Sequence, residues 1–158
     1  MRSLLSSAVL AIAAAGVLAL AVAATPDPVI GSWELNVAKS KVTSGPALKS
    51  QSRTYSQSGD SITVVIKSVG ADGKEATMQT TYKLDGKDYP VTGAPGWDAI
   101  SGKQVDSNTA EFTLKKGGKV VGKTSRTVSK DGKTMMSRQS TTDAKGEKIE
   151  TEMVLDRK

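Results

Sequence analysis

From residue 30 to the C-terminal end the chain alternates apolar and polar positions in short runs. In Ser61 to Val69, Ile62, Val64 and Ile66 share one phase against Ser61, Thr63 and Lys67, with Val65 out of phase. Thr109 to Lys116 repeats the pattern, with Ala110, Phe112 and Leu114 against Glu111, Thr113 and Lys115. In Glu75 to Leu84 the apolar phase is Ala76, Met78, Tyr82 and Leu84, and in Glu147 to Leu155 it is Ile149, Met153 and Leu155. Period two predicts half-buried strands, because successive side chains leave a pleated backbone on opposite faces. Fainter versions predict strands over Ile30 to Val37, Lys49 to Gln57, Asp88 to Val91 and Trp97 to Val105. No segment of this region predicts a helix.

The punctuation between runs points the same way. Lys119 to Thr141 reads as two strands around Lys130-Asp131-Gly132-Lys133, where Gly132 can take the positive φ that a primed hairpin turn requires. Similar signals stand at Gly59-Asp60, Asp72-Gly73, Asp85-Gly86, Gly117-Gly118 and Lys145-Gly146. Ala38 to Leu48, with Gly45-Pro46, predicts a loop holding one helical turn near its start, and Thr92 to Gly96 predicts another loop. Thr25 to Val29 reads as an extended lead-in. Short connections favour pairing between neighbours, and closing such a meander removes both exposed edges. The expected fold is all-β: a single antiparallel up-and-down β-barrel of about eight to ten strands, wide enough inside for side chains or one small ligand.

The first 24 residues fall outside this pattern. Arg2 precedes an apolar run from Leu4 to Leu20, and Ala21-Val22-Ala23 offers the small residues of a signal-peptidase site, with Ala24 an equally good end. The expectation is a signal peptide over 1–24 and one domain over 25–158, periplasmic or secreted and bacterial in style. The other reading is an uncleaved anchor, since about 20 apolar residues can span a bilayer. Cleavage would leave a domain with no stable membrane insertion. The chain has no Cys, so neither disulfides nor a lipid-modified cysteine supports it. The net charge of +6 comes from scattered Lys, and the single Phe, three Tyr and two Trp are dispersed. A nucleic-acid surface needs clustered cations with interleaved aromatics, so nucleic acid is not an expected partner.

Gly31-Ser32-Trp33, at the start of the first predicted strand, resembles the Gly-x-Trp motif of lipocalins. In that family the Trp closes the bottom of the barrel and an Arg from a late strand packs across it. The resemblance therefore implies a structural role for Gly31 and Trp33. Thr127 to Met135, with its Asp131-Gly132-Lys133 turn, is similar to a late hairpin of the fatty-acid-binding proteins. Over residues 25–158 the chain looks like a calycin-type barrel, and most like the small exported lipocalin-like proteins of bacteria. The loop at Ala38 to Leu48 is too short for the two-helix lid of the fatty-acid-binding proteins. Their terminal Arg-x-Tyr, which grips a carboxylate, has no match in Thr151 to Lys158.

With no His and no Cys, the chain cannot build the usual zinc sites, a Ser-His-Asp triad, a thiol nucleophile or His- or Cys-ligated haem. No cofactor, metal or catalytic residue is expected. What remains is an interior. Arg126 shares a phase with Val120, Gly122, Thr124 and Val128, and Arg138 with Thr134, Met136 and Ser140. An Arg facing inward needs a partner, and an anionic ligand headgroup fits its fork. The other readings are that it packs on Trp33, pairs with a protein carboxylate or faces solvent. Trp97, after Ala94-Pro95-Gly96, either lines a barrel mouth or anchors its loop. Met78, Met135, Met136 and Met153 are adaptable lining or plain core. The candidate pocket is Met78, Tyr82, Phe112 and Met153, with Trp97, Arg126 and Arg138 at its polar or open sides. The expected role is non-catalytic holding of a small hydrophobic or amphipathic ligand by a monomer. The competing role is a filled, ligand-free barrel acting through its surface as a structural or protein-interaction module of the envelope.

Overall fold

The computed structural model describes residues 26–42, 47–143 and 145–158. The expected signal peptide, and Gly45-Pro46 of the expected loop, lie outside them. The strands are β1 (Gly31–Leu35), β2 (Lys41–Val42), β3 (Leu48–Ser58), β4 (Ser61–Gly70), β5 (Glu75–Tyr82) and β6 (Asp85–Thr92). They continue as β7 (Ala99–Gln104), β8 (Thr109–Lys116), β9 (Lys119–Val128), β10 (Thr134–Thr142) and β11 (Lys148–Arg157). From β3 onward each strand pairs antiparallel with the next, and β1 pairs with both β3 and β11. Trp33 thus lies opposite Arg53 on one side and Arg157 on the other. The result is a closed ten-stranded antiparallel barrel, with β2 carrying the line of β1 further along β11.

Three local expectations are corrected. The first strand does not run unbroken to Val37, because Val37–Lys39 forms a 3-10 turn between β1 and β2. Asn36 caps it by accepting from the Lys39 N–H, while Ser40 Oγ donates to the Asn36 carbonyl and accepts from the Val154 N–H at 2.9 Å. The excursion thereby stays stitched to β11. The β9–β10 connection is a five-residue loop, Ser129 to Lys133, not a primed turn. Gly132 alone of its residues has positive φ, and its N–H donates to the Ser129 carbonyl at 2.8 Å. The lead-in is not extended either. Asp27 to Ile30 turns back on itself, with the Ile30 N–H on the Asp27 carbonyl and the Val29 N–H on Asp27 Oδ1, each at 2.9 Å.

That turn is the floor of the barrel. Val29 and Trp33 are wholly buried, and Trp33 Nε1 donates to the Val29 carbonyl at 2.7 Å. The Arg157 guanidinium lies 4.2 Å from the centre of the Trp33 ring and donates to the carbonyls of Pro28 and Ile30 at 2.6 and 2.8 Å. Gly31 has φ 127°, and a Cβ there would stand 2.7 Å from Arg157 Nη1. Gly-x-Trp therefore places a missing side chain beside a buried ring so that the cation can slide between them. Tyr55, Ile62, Val128, Met135 and Leu155 complete the packed lower half.

One seam is weak. β5 and β6 share only the pairs Gln79–Thr92 and Thr80–Val91. Val91 donates its N–H toward β7, at the carbonyl of Asp98 just before that strand, so the preceding backbone nitrogen faces β5. That residue is Pro90, which has no N–H to offer. Thr80 Oγ1 bonds the Pro90 carbonyl at 2.9 Å, and below it the strands separate.

Replacing Trp33 by Ala is expected to cost about 3–5 kcal/mol, as for other buried large-to-small changes. Urea unfolding measures it, and a loss below about 1 kcal/mol would show that the floor does not hold the barrel together.

Candidate ligand-binding cavity

Above the floor the barrel is hollow. A cavity of about 440 Å³ fills its upper half and opens between the β4–β5 turn and the Gly93 to Trp97 loop. One wall is apolar: Val64 and Ile66 on β4, Met78 on β5, Ile100 on β7, Leu114 on β8. The facing wall is polar, from Gln51 and Arg53 on β3 to Thr124 on β9 and Ser137 and Gln139 on β10. Small hydroxyl and amide side chains on β9 and β10 leave the space that larger ones would fill. The loop at the mouth reaches inward because Gly93 (φ 77°) passes so close to Thr77 that any Cβ would run into its carbonyl oxygen.

Of the residues singled out from the sequence, Met78, Tyr82, Trp97, Phe112, Arg126 and Met153 all line this one cavity. Trp97 is half-buried at the mouth, packed against the core. Tyr82 and Phe112 meet edge-to-face at 5.2 Å, and Gly102 makes room for the Phe112 ring, which a Cβ would touch at 2.7 Å.

Arg138 does not belong with them. On β10 the inward side chains are Met135, Ser137 and Gln139, so Met136 and Arg138 point out. The Arg138 side chain is 63% exposed and Nε donates to Glu152 at 2.8 Å. It is one rung of an outer ladder in cross-strand register, Lys103, Glu111, Ser125, Arg138, Glu152 and Lys41, in which the charges alternate in sign around Ser125. That Arg138 hydrogen bond holds the Glu152 carboxyl below its ordinary range. With Ser and Thr in both phases and Met at 135 and 136, nothing local told the two faces apart.

Arg126 is inside, and its charge is already answered. Nη2 donates to Asp27 Oδ2 at 2.8 Å and Nη1 to the Tyr82 hydroxyl at 2.6 Å. Its guanidinium lies 5.6 Å from the ring centres of both Tyr55 and Phe112. Burial works against the charge, but Tyr82, Tyr55 and Asp27 outweigh it and push the pKa up. Burial also pushes the Tyr82 phenol far above its usual range, with Arg126 pulling the other way. Nε, fully enclosed, has no hydrogen-bond partner among the described residues. Arg126 therefore ties the floor turn to β9, the protein-carboxylate reading of the residue.

Arg53, Gln51 and Arg157 were not singled out. Arg53 is 8% exposed, with Nε donating to Gln51 Oε1 at 2.7 Å and Nη2 to Met153 Sδ at 3.1 Å; Gln51 Nε2 bonds Ser68 Oγ at 3.1 Å. The run from Ser50 to Ser56 is polar in both phases, so alternation alone was silent. The usable signal was the pairing of this strand with Gly-x-Trp, which turns Arg53 to the Trp33 side.

No family model matches the chain, and no curated protein is significantly similar to it in sequence. Among solved structures it is similar to EF1p2_mFAP2b bound to DFHBI, with TM-score 0.49 and 8% identity over 83% of this chain and 94% of that one. A redesigned β-barrel, mFAP1, bound to DFHBI gives TM-score 0.45 and 12% identity over 82% and 95%. The siderocalin Ex-FABP gives 0.41 and 13% over 83% and 74%. Ten antiparallel strands, closed first to last over a plugged floor, make this a single up-and-down β-barrel.

Asp27→Ala and Arg126→Leu are each expected to destabilise by about 3–5 kcal/mol, because each strands a buried charge. The double variant should lose clearly less than the sum in denaturant unfolding. Strict additivity would show that the two side chains do not act as a pair.

Proposed function

We propose that this protein holds one small, partly apolar molecule in the upper half of its barrel and does not transform it. The observation that carries this reading is the cavity of about 440 Å³. Its size falls in the usual range for small-molecule sites, and it joins an apolar wall to a few placed polar groups. The absence of His and Cys supports a holding role over a chemical one. Trp97 and the Gly93 to Trp97 loop form the entrance. First-to-last strand pairing closes the ring, and in this reading the protein works as a monomer.

The holding takes place outside the cytoplasm. Residues 1–24 serve as the export signal, and the alternation of 25–158 folds after translocation. Asp27 and Val29 are already parts of the floor, so a cut after Ala23 or Ala24 leaves every described contact in place.

Trp33 is sealed in the floor and Trp97 stands at the mouth, which makes entry observable. Titration with N-phenyl-1-naphthylamine is expected to give saturable energy transfer from tryptophan, part of which Trp97→Phe removes. Native mass spectrometry of protein taken from its own envelope should show a single bound small molecule. No probe entry and no co-purifying mass would instead assign the protein a ligand-free, surface-acting role. The intact mass of exported protein is expected to lack residues 1–23 or 1–24. A full-length mass would make the segment an anchor.

A further inference from the structure

The two arginines inside the barrel are not equivalent. Arg126 has Asp27 as its counter-ion at 2.8 Å. Arg53 is more than nine-tenths buried, yet its two hydrogen-bond acceptors, Gln51 Oε1 and Met153 Sδ, are both neutral. Among the described residues no carboxylate lies within ion-pair distance of it. Every Asp and Glu of the chain falls within those residues, so no other acidic side chain can reach it either. A buried cation with no opposite charge is strongly disfavoured unless something supplies that charge.

The unused part of the Arg53 guanidinium is also reachable. Nη1 makes no hydrogen bond among the described residues, and unlike Arg126 Nε it is not sealed away from the cavity that Arg53 lines. Arg53 stands on the polar wall beside Gln51, with Val64, Ile66 and Leu114 supplying the apolar side. The acid and base at the mouth, Asp72 and Lys74, lie 3.4 Å apart and cancel, so the inward-facing charge of the cavity is that of Arg53.

Building on the ligand-holding reading, we propose that the molecule held here is an amphipathic organic acid. Its single oxyanion (carboxylate or sulfonate) accepts from Arg53, and its apolar body lies along β4, β5 and β8. Gln51 holds the Arg53 fork in place through Nε and is itself held by Ser68. The ligand completes the ion pair that the chain leaves open.

A matched pair of probes tests this. 1-Anilinonaphthalene-8-sulfonate and N-phenyl-1-naphthylamine share one ring system and differ by the sulfonate. Wild type is expected to bind the sulfonate about tenfold or more tighter, the worth of one charge-assisted hydrogen bond in a dry site. Arg53→Met should erase that preference and leave the neutral probe within about twofold. Arg53→Lys should keep part of it, because the charge stays and the fork is lost. The preference should also survive about 0.5 M salt, since screening acts on surface lysines far more than on an interior pair. That measurement decides the matter in wild type alone if Arg53→Met does not fold. Equal binding of the two probes by wild type overturns the anion site and leaves the cavity reading standing. So does a preference that survives in Arg53→Met or disappears in salt. Entry of neither probe overturns both.

Discussion

Two guanidinium groups hold a four-residue turn against the bottom of this barrel, and the rest of the structure depends on that clamp. Arg157 comes from the last strand, lies across Trp33 and grips the carbonyls of Pro28 and Ile30. Arg126 comes from β9 and grips Asp27. Between them the chain's entry segment is drawn into the barrel's axis, where Val29 fills the space below Trp33. Closure of the sheet and closure of its floor are one event, because Arg157 lies directly opposite Trp33 in the pairing that joins first strand to last. Stacking a cation on a buried ring and saturating it with backbone carbonyls lets a charge sit at the barrel's end without a carboxylate.

The division of the interior into a packed half and a hollow half follows from where the large side chains fall. Trp33, Tyr55, Ile62, Val128, Met135 and Leu155 gather at the floor. On the facing strands the next inward positions are Ser137, Gln139 and Thr124, whose volumes cannot meet across the barrel. Arg126 marks the boundary between the halves, neutralised from below by Asp27. Arg53 stands in the hollow half with neutral neighbours, and Met153 connects the two levels. Met153 is the register partner of Ser137, Ser137 is that of Arg126, and Met153 Sδ accepts from Arg53. A charge that is balanced in one half and unbalanced in the other gives the cavity a direction, with its polar demand on the β3 side and its apolar surface opposite.

Outside, the sheet is held by different means. Lys103, Glu111, Ser125, Arg138, Glu152 and Lys41 form a cross-strand ladder over β7 to β11 and β2, where each cation sits beside an anion or a hydroxyl. Such exposed pairs contribute little each, and their regular alternation serves register more than stability. The β5–β6 seam lacks both the ladder and a full set of backbone bonds. Pro90 explains the second deficit, since the nitrogen it turns to β5 carries no proton.

Much of this was written locally. Alternation over Ser61 to Val69, Glu75 to Leu84 and Thr109 to Lys116 set strands and faces, because a pleated chain with one wet side must sort its side chains at period two. Gly-rich turns set neighbour-to-neighbour order, and Gly31-Ser32-Trp33 marked the floor. Placement of Met78, Tyr82, Phe112 and Met153 on one interior followed from the same periodicity. Tertiary structure alone decided the rest. Arg138 and Arg126 sit in equally polar strands, and only the pairing of β10 with β9 and β11 turned one out and the other in. Gln51 and Arg53 were hidden by serines and threonine on either side. The lead-in had no periodicity, and it became a floor because two arginines about 100 and 130 residues away reach it. Periodicity reports which face is dry only where polar and apolar residues differ, whereas the pairing of buried charges depends on partners that meet only when the ring of strands is closed.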